Sequence, residues 1–556
     1  MVPESMVVCY NLETPMRDGT LLRGDLYRPA GEGRWPVLLL RSVFRKRDMS
    51  RAFYQYDPAF YVRRGYAVFI QDVRGLGESD GEFDRFTADG PDGYDTVEWL
   101  AARPWCTGAV GMFGSYFAGY LQIMAALENP PHLKAVCPMQ TSVSINRDCD
   151  TRGFLFSSHI GWCMSRLLNR LRDGRYDPET TARMLPKLLE WIRDYPRSQL
   201  SCLPLDSMPA LRDTPFPLLK DYRRHLLEGF DDFDLLHKEG RDADLSAMKI
   251  PAFYVAGWYD SSRTPLIDHC MTQRSAGVDS RVLIAPWQPG EPPARPDSAL
   301  ENGESAVDLP AEIASWFDYH LKGSPAPSFP PVRYYDIAGG PCFAGGAWPA
   351  FPACRRFFPA DMTVRPSAGT GTVSFRHFPA DPLPYRGYGA SALPDPADPR
   401  TVVFITDPLP EDLPVRGLVR ADILFSADVR DADVMLSLGD LAPGSAGAPP
   451  ESGKLFRFCD GAVRAGYAQG WDRRPLSPGE KRSAEILLGH VCYTLRAGHR
   501  LVAEFAGSAF PKYDVNHGTG ARPASDPDAV DSTVTLYASD RSAFRIDLPV
   551  SGSGGA

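Results

Sequence analysis

One stretch decides the fold: Ala109-Val110-Gly111-Met112-Phe113-Gly114-Ser115-Tyr116-Phe117-Ala118-Gly119-Tyr120-Leu121-Gln122. Its first part, Ala109 to Phe113, contains only small or apolar residues, as expected for a strand that is buried on both faces. From Tyr116 to Glu128 the apolar residues recur at helical spacing, and Asn129-Pro130-Pro131 ends that helix. The stretch therefore predicts a strand, a sharp turn and a helix.

This arrangement is typical of the nucleophile elbow of α/β-hydrolases, in which a strained turn holds one side chain above the sheet. Gly114 and Gly119 flank the turn, where the strand and helix backbones nearly touch. Tyr116 stands two residues after Gly114, at the position of the nucleophile. Ser115 stands one position early, and placing it at the tip would put Phe113 where a glycine is required. We predict Tyr116 at the tip and keep Ser115 as the alternative.

The composition narrows the function classes. With 556 residues, 44% of them hydrophobic and 23% charged, the chain is predicted to form two or three globular domains. A net charge of −9 and no basic stripe argue against nucleic acid and anionic membranes as partners. Eleven scattered cysteines without a Cys-x-x-Cys pair indicate reduced thiols. Because a signal peptide and long apolar segments are also missing, we predict a cytoplasmic protein.

The pattern along the chain predicts an α/β fold with an insertion and an appended β-domain. Strand-like runs dominate residues 1–140 and return in residues 246–323, which together form the predicted core. Residues 141–245 are mostly helical and are predicted to form a cap over the elbow. From residue 324 to 556, dense Pro and Gly with short alternating strands predict an all-β sandwich.

A series of stretches also carries a family resemblance: Pro15-Met16-Arg17-Asp18-Gly19, Gln71-Asp72-Val73-Arg74-Gly75, Ser79-Asp80-Gly81-Glu82-Phe83, Gly111-Met112-Phe113-Gly114, Ala256-Gly257-Trp258-Tyr259-Asp260, Cys459-Asp460-Gly461, Gly498-His499-Arg500-Leu501 and Phe510-Pro511-Lys512-Tyr513-Asp514. In this order they resemble the cocaine esterase and X-prolyl dipeptidyl-peptidase family over nearly the whole chain. The resemblance implies an α/β-hydrolase core, a helical cap and a C-terminal jelly roll. It also implies hydrolysis of esters or peptides by a Ser-His-Asp triad without a cofactor.

The residues of this chain depart from the triad that the resemblance implies. Tyr116 stands at the serine position, and Asp260 stands at the position of the acid. The histidine is expected shortly after Trp287, where Pro289 is found instead. In the same resemblance the oxyanion hole combines the Phe117 backbone N–H with a tyrosine hydroxyl. Phe44 occupies the place of that tyrosine.

Further site residues are expected around the elbow. We predict that the substrate contacts Phe44, Ser115, Phe117 and Trp287. His159, in the first cap segment, is the candidate for a substitute base, although a lone histidine is more often a surface residue. Asp148-Cys149-Asp150 is read as a solvated turn because no histidine cluster accompanies it, so no metal site is predicted. A small molecule is the expected partner, and a homodimer is left open.

These departures from the Ser-His-Asp triad favour a reaction other than hydrolysis. Without histidine neither a serine nor a phenol is activated, since free tyrosine has a pKa of about 10. We predict a non-hydrolytic reaction on a small organic molecule: cyclisation, rearrangement, elimination or acyl transfer. Tyr116 would act as a general acid or base or as a hydrogen-bond donor, and we expect it to bond Asp260 directly or through one water. The alternatives are hydrolysis through Ser115 or Tyr116, and a non-catalytic binding protein in which Tyr116 fills a dead site.

Overall fold

The computed structural model describes residues 6–48, 56–83, 88–142, 153–154, 157–193, 195, 201–212, 214, 216–217, 219–220, 223, 247–287, 307–337, 342–348, 353–358, 361–365, 371–444, 453–470, 472–522, 525–538 and 544–550. For residues 157–159, 342, 364–365 and 390–391 the structure describes the backbone only.

A ten-stranded sheet forms the core. Its strands are β1 (Met6–Pro15), β2 (Leu21–Pro29), β3 (Trp35–Ser42), β4 (Ala67–Asp72), β5 (Cys106–Ser115), β6 (Leu133–Met139), β7 (Ala252–Gly257), β8 (Ser280–Ala285), β9 (Val332–Tyr335) and β10 (Cys342–Gly345). The spatial order is β1-β2-β4-β3-β5-β6-β7-β8-β9-β10. Strands β3 to β9 run parallel, and antiparallel pairs lie at both edges. The predicted α/β-hydrolase core is confirmed.

Helices connect the strands and bury the sheet. They are α1 (Pro58–Val62), α2 (Asp89–Ala101), α3 (Phe117–Leu127), α4 (Ser157–Arg172), α5 (Pro178–Arg193), α6 (Pro209–Arg212), α7 (Arg263–Ser275) and α8 (Leu309–Lys322). Every residue of β4, β7 and β8 is buried, which explains why these strands are nearly continuous apolar runs in the sequence. Helices α4, α5 and α6 lie between β6 and β7, in the range predicted for the cap.

The cap rests on the loop that follows β4. Arg170 of α4 donates to the carbonyl of Gly75 and, at 2.9 Å, to the carboxylate of Glu82. Arg464 of the β-domain reaches the carbonyl of Gly153 at the beginning of the cap. Among the described helices, none combines the length and the apolar character needed to cross a membrane.

The C-terminal part is a sandwich of two six-stranded sheets, which confirms the predicted all-β domain. Its strands are β11 (Ala353–Phe357), β12 (Thr363–Arg365), β13 (Thr372–His377), β14 (Gly389–Ser391), β15 (Thr401–Ile405), β16 (Leu413–Ala427), β17 (Asp433–Leu441), β18 (Leu455–Arg464), β19 (Arg482–Leu495), β20 (Arg500–Ala506), β21 (Ser532–Tyr537) and β22 (Arg545–Val550). The boundary expected at residue 324 is early, however. Helix α8 is a crossover connection from β8 to the parallel strand β9, so β9 and β10 extend the core sheet.

Helix α7 ties the core to the sandwich. The Arg263 guanidinium donates to the carbonyls of Leu488 and His490 on β19, at 3.2 and 3.3 Å. It also donates to the carbonyl of Asp260, at 3.1 Å. The β-domain therefore helps to hold the turn that carries Asp260.

Candidate active site

The elbow turn is occupied by Tyr116. This residue lies between the end of β5 and the start of α3, with φ 56° and ψ −122°. A non-glycine residue with such a positive φ is strained, and strained residues of this kind concentrate at functional sites. The Tyr116 N–H donates to the carbonyl of Met139 at 3.0 Å, which ties the turn to the end of β6.

Small residues are required on both sides of this turn. A Cβ atom on Gly114 would lie 2.7 Å from Cβ of Ala118, and one on Gly119 would lie 2.7 Å from Cγ2 of Thr141. Gln122 joins the neighbouring strands: its amide donates to the carbonyl of Gly114 at 3.1 Å and accepts from the Cys137 N–H at 3.0 Å. Strand β5, helix α3 and strand β6 thus hold the elbow rigidly.

The Tyr116 hydroxyl is buried and has no hydrogen-bond partner among the described residues. Burial raises the pKa of Tyr116 above its ordinary value, and the nearby Asp260 carboxylate and Tyr56 hydroxyl raise it further. The phenol therefore stays protonated at neutral pH. In this form it is a hydrogen-bond donor rather than a nucleophile or a resting base.

Asp260 lies in the turn after β7 and is 4% exposed. Its Oδ1 accepts from the Ser262 N–H at 2.7 Å and from the Ser262 hydroxyl at 2.6 Å, whereas its Oδ2 has no partner among the described residues. Burial raises the pKa of this carboxyl, and the two Ser262 donors oppose that rise. The expected direct hydrogen bond from Tyr116 to Asp260 is wrong: the Tyr116 hydroxyl and Asp260 Oδ2 are both buried without a partner among the described residues. The form bridged by a water remains a prediction.

Ser115 is the last residue of β5 and precedes the strained turn. Its hydroxyl oxygen accepts a 2.6 Å hydrogen bond from the hydroxyl of Tyr56, which is 1% exposed. Tyr56 was missed in the sequence. The sequence indicated only that Tyr56 directly precedes Asp57-Pro58, where helix α1 begins.

Aromatic rings surround the residue after the elbow. The Phe117 ring stacks on Trp162 of α4 with a centroid distance of 5.5 Å and an interplanar angle of 26°. Phe83 packs against both rings, at 6.2 and 6.0 Å. Phe44, at the expected oxyanion position, is 41% exposed and presents a ring where a hydroxyl was expected from the resemblance. Ser115 and Phe117 are the chain neighbours of Tyr116, and the contacts of Phe44, Ser115 and Phe117 with a substrate remain predictions.

Two other expected site residues are Trp287 and His159. Trp287 is 1% exposed and belongs to the same hydrophobic cluster as Phe113 and Trp316, and its contact with a substrate remains a prediction. The end of β8 directs this ring into the core. His159 lies in the first turn of α4, and its side chain is outside the described set.

Pro289 and Asp148-Cys149-Asp150 also fall outside the described residues. Within the described ranges, no group of three or more His, Cys, Asp or Glu side chains is arranged to hold a metal ion.

Comparisons with known proteins agree with this architecture. A family model described as X-Pro dipeptidyl-peptidase (S15 family) matches residues 18–289, and one described as X-Pro dipeptidyl-peptidase C-terminal non-catalytic domain matches residues 328–541. The cocaine esterase of Rhodococcus sp. (strain MB1 Bresler) is 29% identical over 559 aligned residues, which cover 94% of each chain.

Solved structures show the same fold. An aminopeptidase from the marine sediment archaeon Thaumarchaeota archaeon superposes with a TM-score of 0.79 at 19% identity, covering 98% of this chain and 96% of its own. An α-amino acid ester hydrolase superposes with a TM-score of 0.77 at 18% identity, covering 98% and 97%. The chain belongs to the cocaine esterase and X-prolyl dipeptidyl-peptidase family of α/β-hydrolases.

Proposed function

We propose that this protein is an enzyme that uses the hydrolase scaffold for a non-hydrolytic reaction on a small organic molecule. The observation that carries the proposal is the side chain in the strained elbow turn, a protonated phenol instead of a serine. Strain of this kind persists only where the surrounding structure enforces it. Its retention around a tyrosine supports a use for that tyrosine.

The phenol suits a reaction in which an oxygen atom of the substrate gains negative charge. Tyr116 Oη donates a hydrogen bond or a proton to that oxygen, in a setting where burial strengthens the interaction. The open Oδ2 of Asp260 is an acceptor on the same side of the sheet edge. One donor and one acceptor suffice for the proton transfers of a cyclisation, a rearrangement or an elimination. In an acyl transfer the same donor stabilises the carbonyl oxygen.

Hydrolysis is the second candidate because the family consists of esterases and peptidases. It requires a base that activates either water or the nucleophile. The raised pKa of Tyr116 argues against a phenolate nucleophile. Ser115, which accepts the Tyr56 hydroxyl, has no base among the described contacts.

Mass balance separates these reactions. Purified wild-type protein and Tyr116→Phe are incubated with a small-molecule extract in water labelled with heavy oxygen, and the products are analysed by mass spectrometry. Isomerisation leaves the mass of a compound unchanged, elimination lowers it by the mass of the leaving group, and hydrolysis splits it into two products, one of which carries the labelled oxygen. We expect compounds that change only with the wild type and that carry no label.

Labelled products that depend on the protein would contradict the proposal and establish hydrolysis. Equal conversion by the wild type and Tyr116→Phe would remove Tyr116 from the reaction. If no compound is converted but some co-purify with the protein, the binding-protein alternative gains support.

A further inference from the structure

Arg166, on helix α4 of the cap, is a buried cation without an anion. It is 2% exposed, and none of the described residues places a carboxylate within ion-pair distance of it. Arg263 is satisfied by backbone carbonyls, and several other buried arginines in the described chain have carboxylate partners. Examples are Arg170 with Glu82, Arg457 with Glu504 and Arg464 with Asp433. An unpaired buried charge is costly, so its presence calls for a compensating ligand.

The guanidinium is connected to the elbow through aromatic rings. Its Cζ is 4.1 Å from the centroid of Phe44 and 5.7 Å from that of Trp162. Trp162 in turn stacks on Phe117, the residue that follows Tyr116. Arg166 and Trp162 are four residues apart and therefore share one face of α4. That face is the one turned toward the elbow.

Part of the hydrogen-bonding capacity of Arg166 is unused. The guanidinium has five N–H donors. One of its terminal nitrogens donates to the carbonyl of Val43, and the other donates to the Ser165 hydroxyl at 3.2 Å. The Nε–H is buried and has no acceptor among the described residues. Burial lowers the pKa of Arg166 to about 10, which still leaves the group charged at neutral pH.

We propose that Arg166 binds a carboxylate group of the substrate, so that the protein acts on a small organic acid. A guanidinium presents its donors in a planar fork that matches a carboxylate. The rings of Phe44 and Trp162 beside the guanidinium favour a flat, aromatic or conjugated acid. The single positive charge of Arg166 matches the single negative charge of a carboxylate, whereas a phosphate group at neutral pH carries nearly two negative charges.

This inference deepens the proposed function, on which it rests for the idea that substrate reaches the elbow. It gives Tyr116 and Arg166 separate tasks. Arg166 holds the acid group, and Tyr116 donates to an oxygen that reacts. Binding and turnover are therefore expected to respond to different substitutions.

The test compares a charged probe with its neutral isostere. Binding of benzoate and of benzamide to the full-length protein is measured by isothermal titration calorimetry, together with a panel containing phenylacetate and cinnamate. We expect at least one of the carboxylates to bind, and its amide counterpart to bind about tenfold more weakly or worse. Arg166→Gln should lose the preference for the acid. Arg172→Gln, which removes the same charge from an exposed position of the same helix, should keep it.

The comparison of acid and amide on the wild type needs no variant, so it holds even if Arg166→Gln does not fold. Arg166→Lys keeps the charge without the planar fork and should bind the acid at an intermediate strength. Equal binding of acid and amide overturns the proposal, as does an acid preference that survives Arg166→Gln. Failure of every acid in the panel to bind below about 10 mM also overturns it.

Tyr116→Phe separates this inference from the proposed function. It should bind the acid as the wild type does while converting nothing. If Tyr116→Phe loses conversion but no carboxylate is bound through Arg166, the proposed function stands and the assignment of Arg166 is wrong. If the acid binds through Arg166 but Tyr116→Phe converts compounds normally, the assignment of Arg166 stands and the proposed role of Tyr116 is wrong.

Discussion

The Tyr56 hydroxyl donates a 2.6 Å hydrogen bond to the Ser115 hydroxyl, one residue before the strained elbow turn. The serine nearest to the nucleophile position is therefore engaged by a phenol and not by a histidine. A phenol donates this hydrogen bond and does not accept the serine proton at neutral pH. Ser115 is held in place by Tyr56 but is not activated by it.

Simple activated esters should consequently be turned over at a negligible rate. We expect nitrophenyl acetate and butyrate to be hydrolysed no faster with the wild type than with Ser115→Ala, as measured by nitrophenolate absorbance. Tyr56→Phe serves as the matched variant, because it removes the hydrogen bond and keeps the serine. Robust hydrolysis that disappears in Ser115→Ala would identify Ser115 as a nucleophile.

Removing the Tyr116 hydroxyl should not weaken the fold. The group is buried without a partner among the described residues, so Tyr116→Phe should leave the free energy of unfolding unchanged or raise it by up to about 1 kcal/mol. Tyr254→Phe is the matched control. Its buried hydroxyl donates to Gln273 at 2.7 Å, and the loss should cost about 1 kcal/mol or more. Urea unfolding measures both, and equal destabilisation would show that the Tyr116 hydroxyl has a partner.

Asp260 should make stability depend on pH. Its pKa is raised in the folded protein, so its contribution to stability is complete below the unfolded value of about 4 and is lost as the pH rises through the folded value. Asp260→Asn should therefore gain stability relative to the wild type as the pH rises above about 4. Unfolding by urea at a series of pH values measures this difference.

Asp412→Asn is the control, because its effect on the pH dependence of stability should have the opposite sign. The pKa of Asp412 is lowered, first by the Ala497 N–H and then by Arg496. This variant should lose stability relative to the wild type as the pH rises toward about 4, and the difference should stay constant at higher pH. The same direction in both variants would refute the interpretation of Asp260.

Gly114→Ala should damage the elbow. Gly114 has φ 148°, and a Cβ would lie 2.7 Å from that of Ala118, so we expect a loss of about 2 to 3 kcal/mol in the free energy of unfolding. Gly277→Ala provides the control, because its φ of 79° is also positive but the space around it is open. It should cost about 1 kcal/mol. Similar losses in the two variants would show that the close approach of strand and helix is unimportant.

Local patterns were sufficient to predict the elbow and the core strands. Buried parallel strands are continuous apolar runs, and the glycines around Tyr116 mark the close approach of two backbones. The elbow is a single turn, so its identity depends on residues adjacent in the chain. For this reason the spacing from Gly114 was enough to assign Tyr116, and not Ser115, to the tip.

Relationships between distant segments were not predictable in this way. Tyr56 and Ser115 are 59 positions apart, and Arg166 and Val43 are 123 apart. Trp287 follows a strand at the active edge, yet its ring turns into the core. The side chain of Asp260 was expected to bond Tyr116, but its Oδ1 takes its donors from Ser262, two residues away, and its Oδ2 has no partner among the described residues. Side-chain direction and competing local donors decided these cases.

The bonds from Arg263 to the carbonyls of Leu488 and His490 bear on how such proteins can be recombined. The same guanidinium also binds the carbonyl of Asp260. A chimera that exchanged the C-terminal domain for that of a relative would thus receive a different support for the turn that carries Asp260. Exchanging one half alone should therefore disturb the turn that carries Asp260. Crossover points in directed evolution should accordingly keep α7 and β19 from one parent.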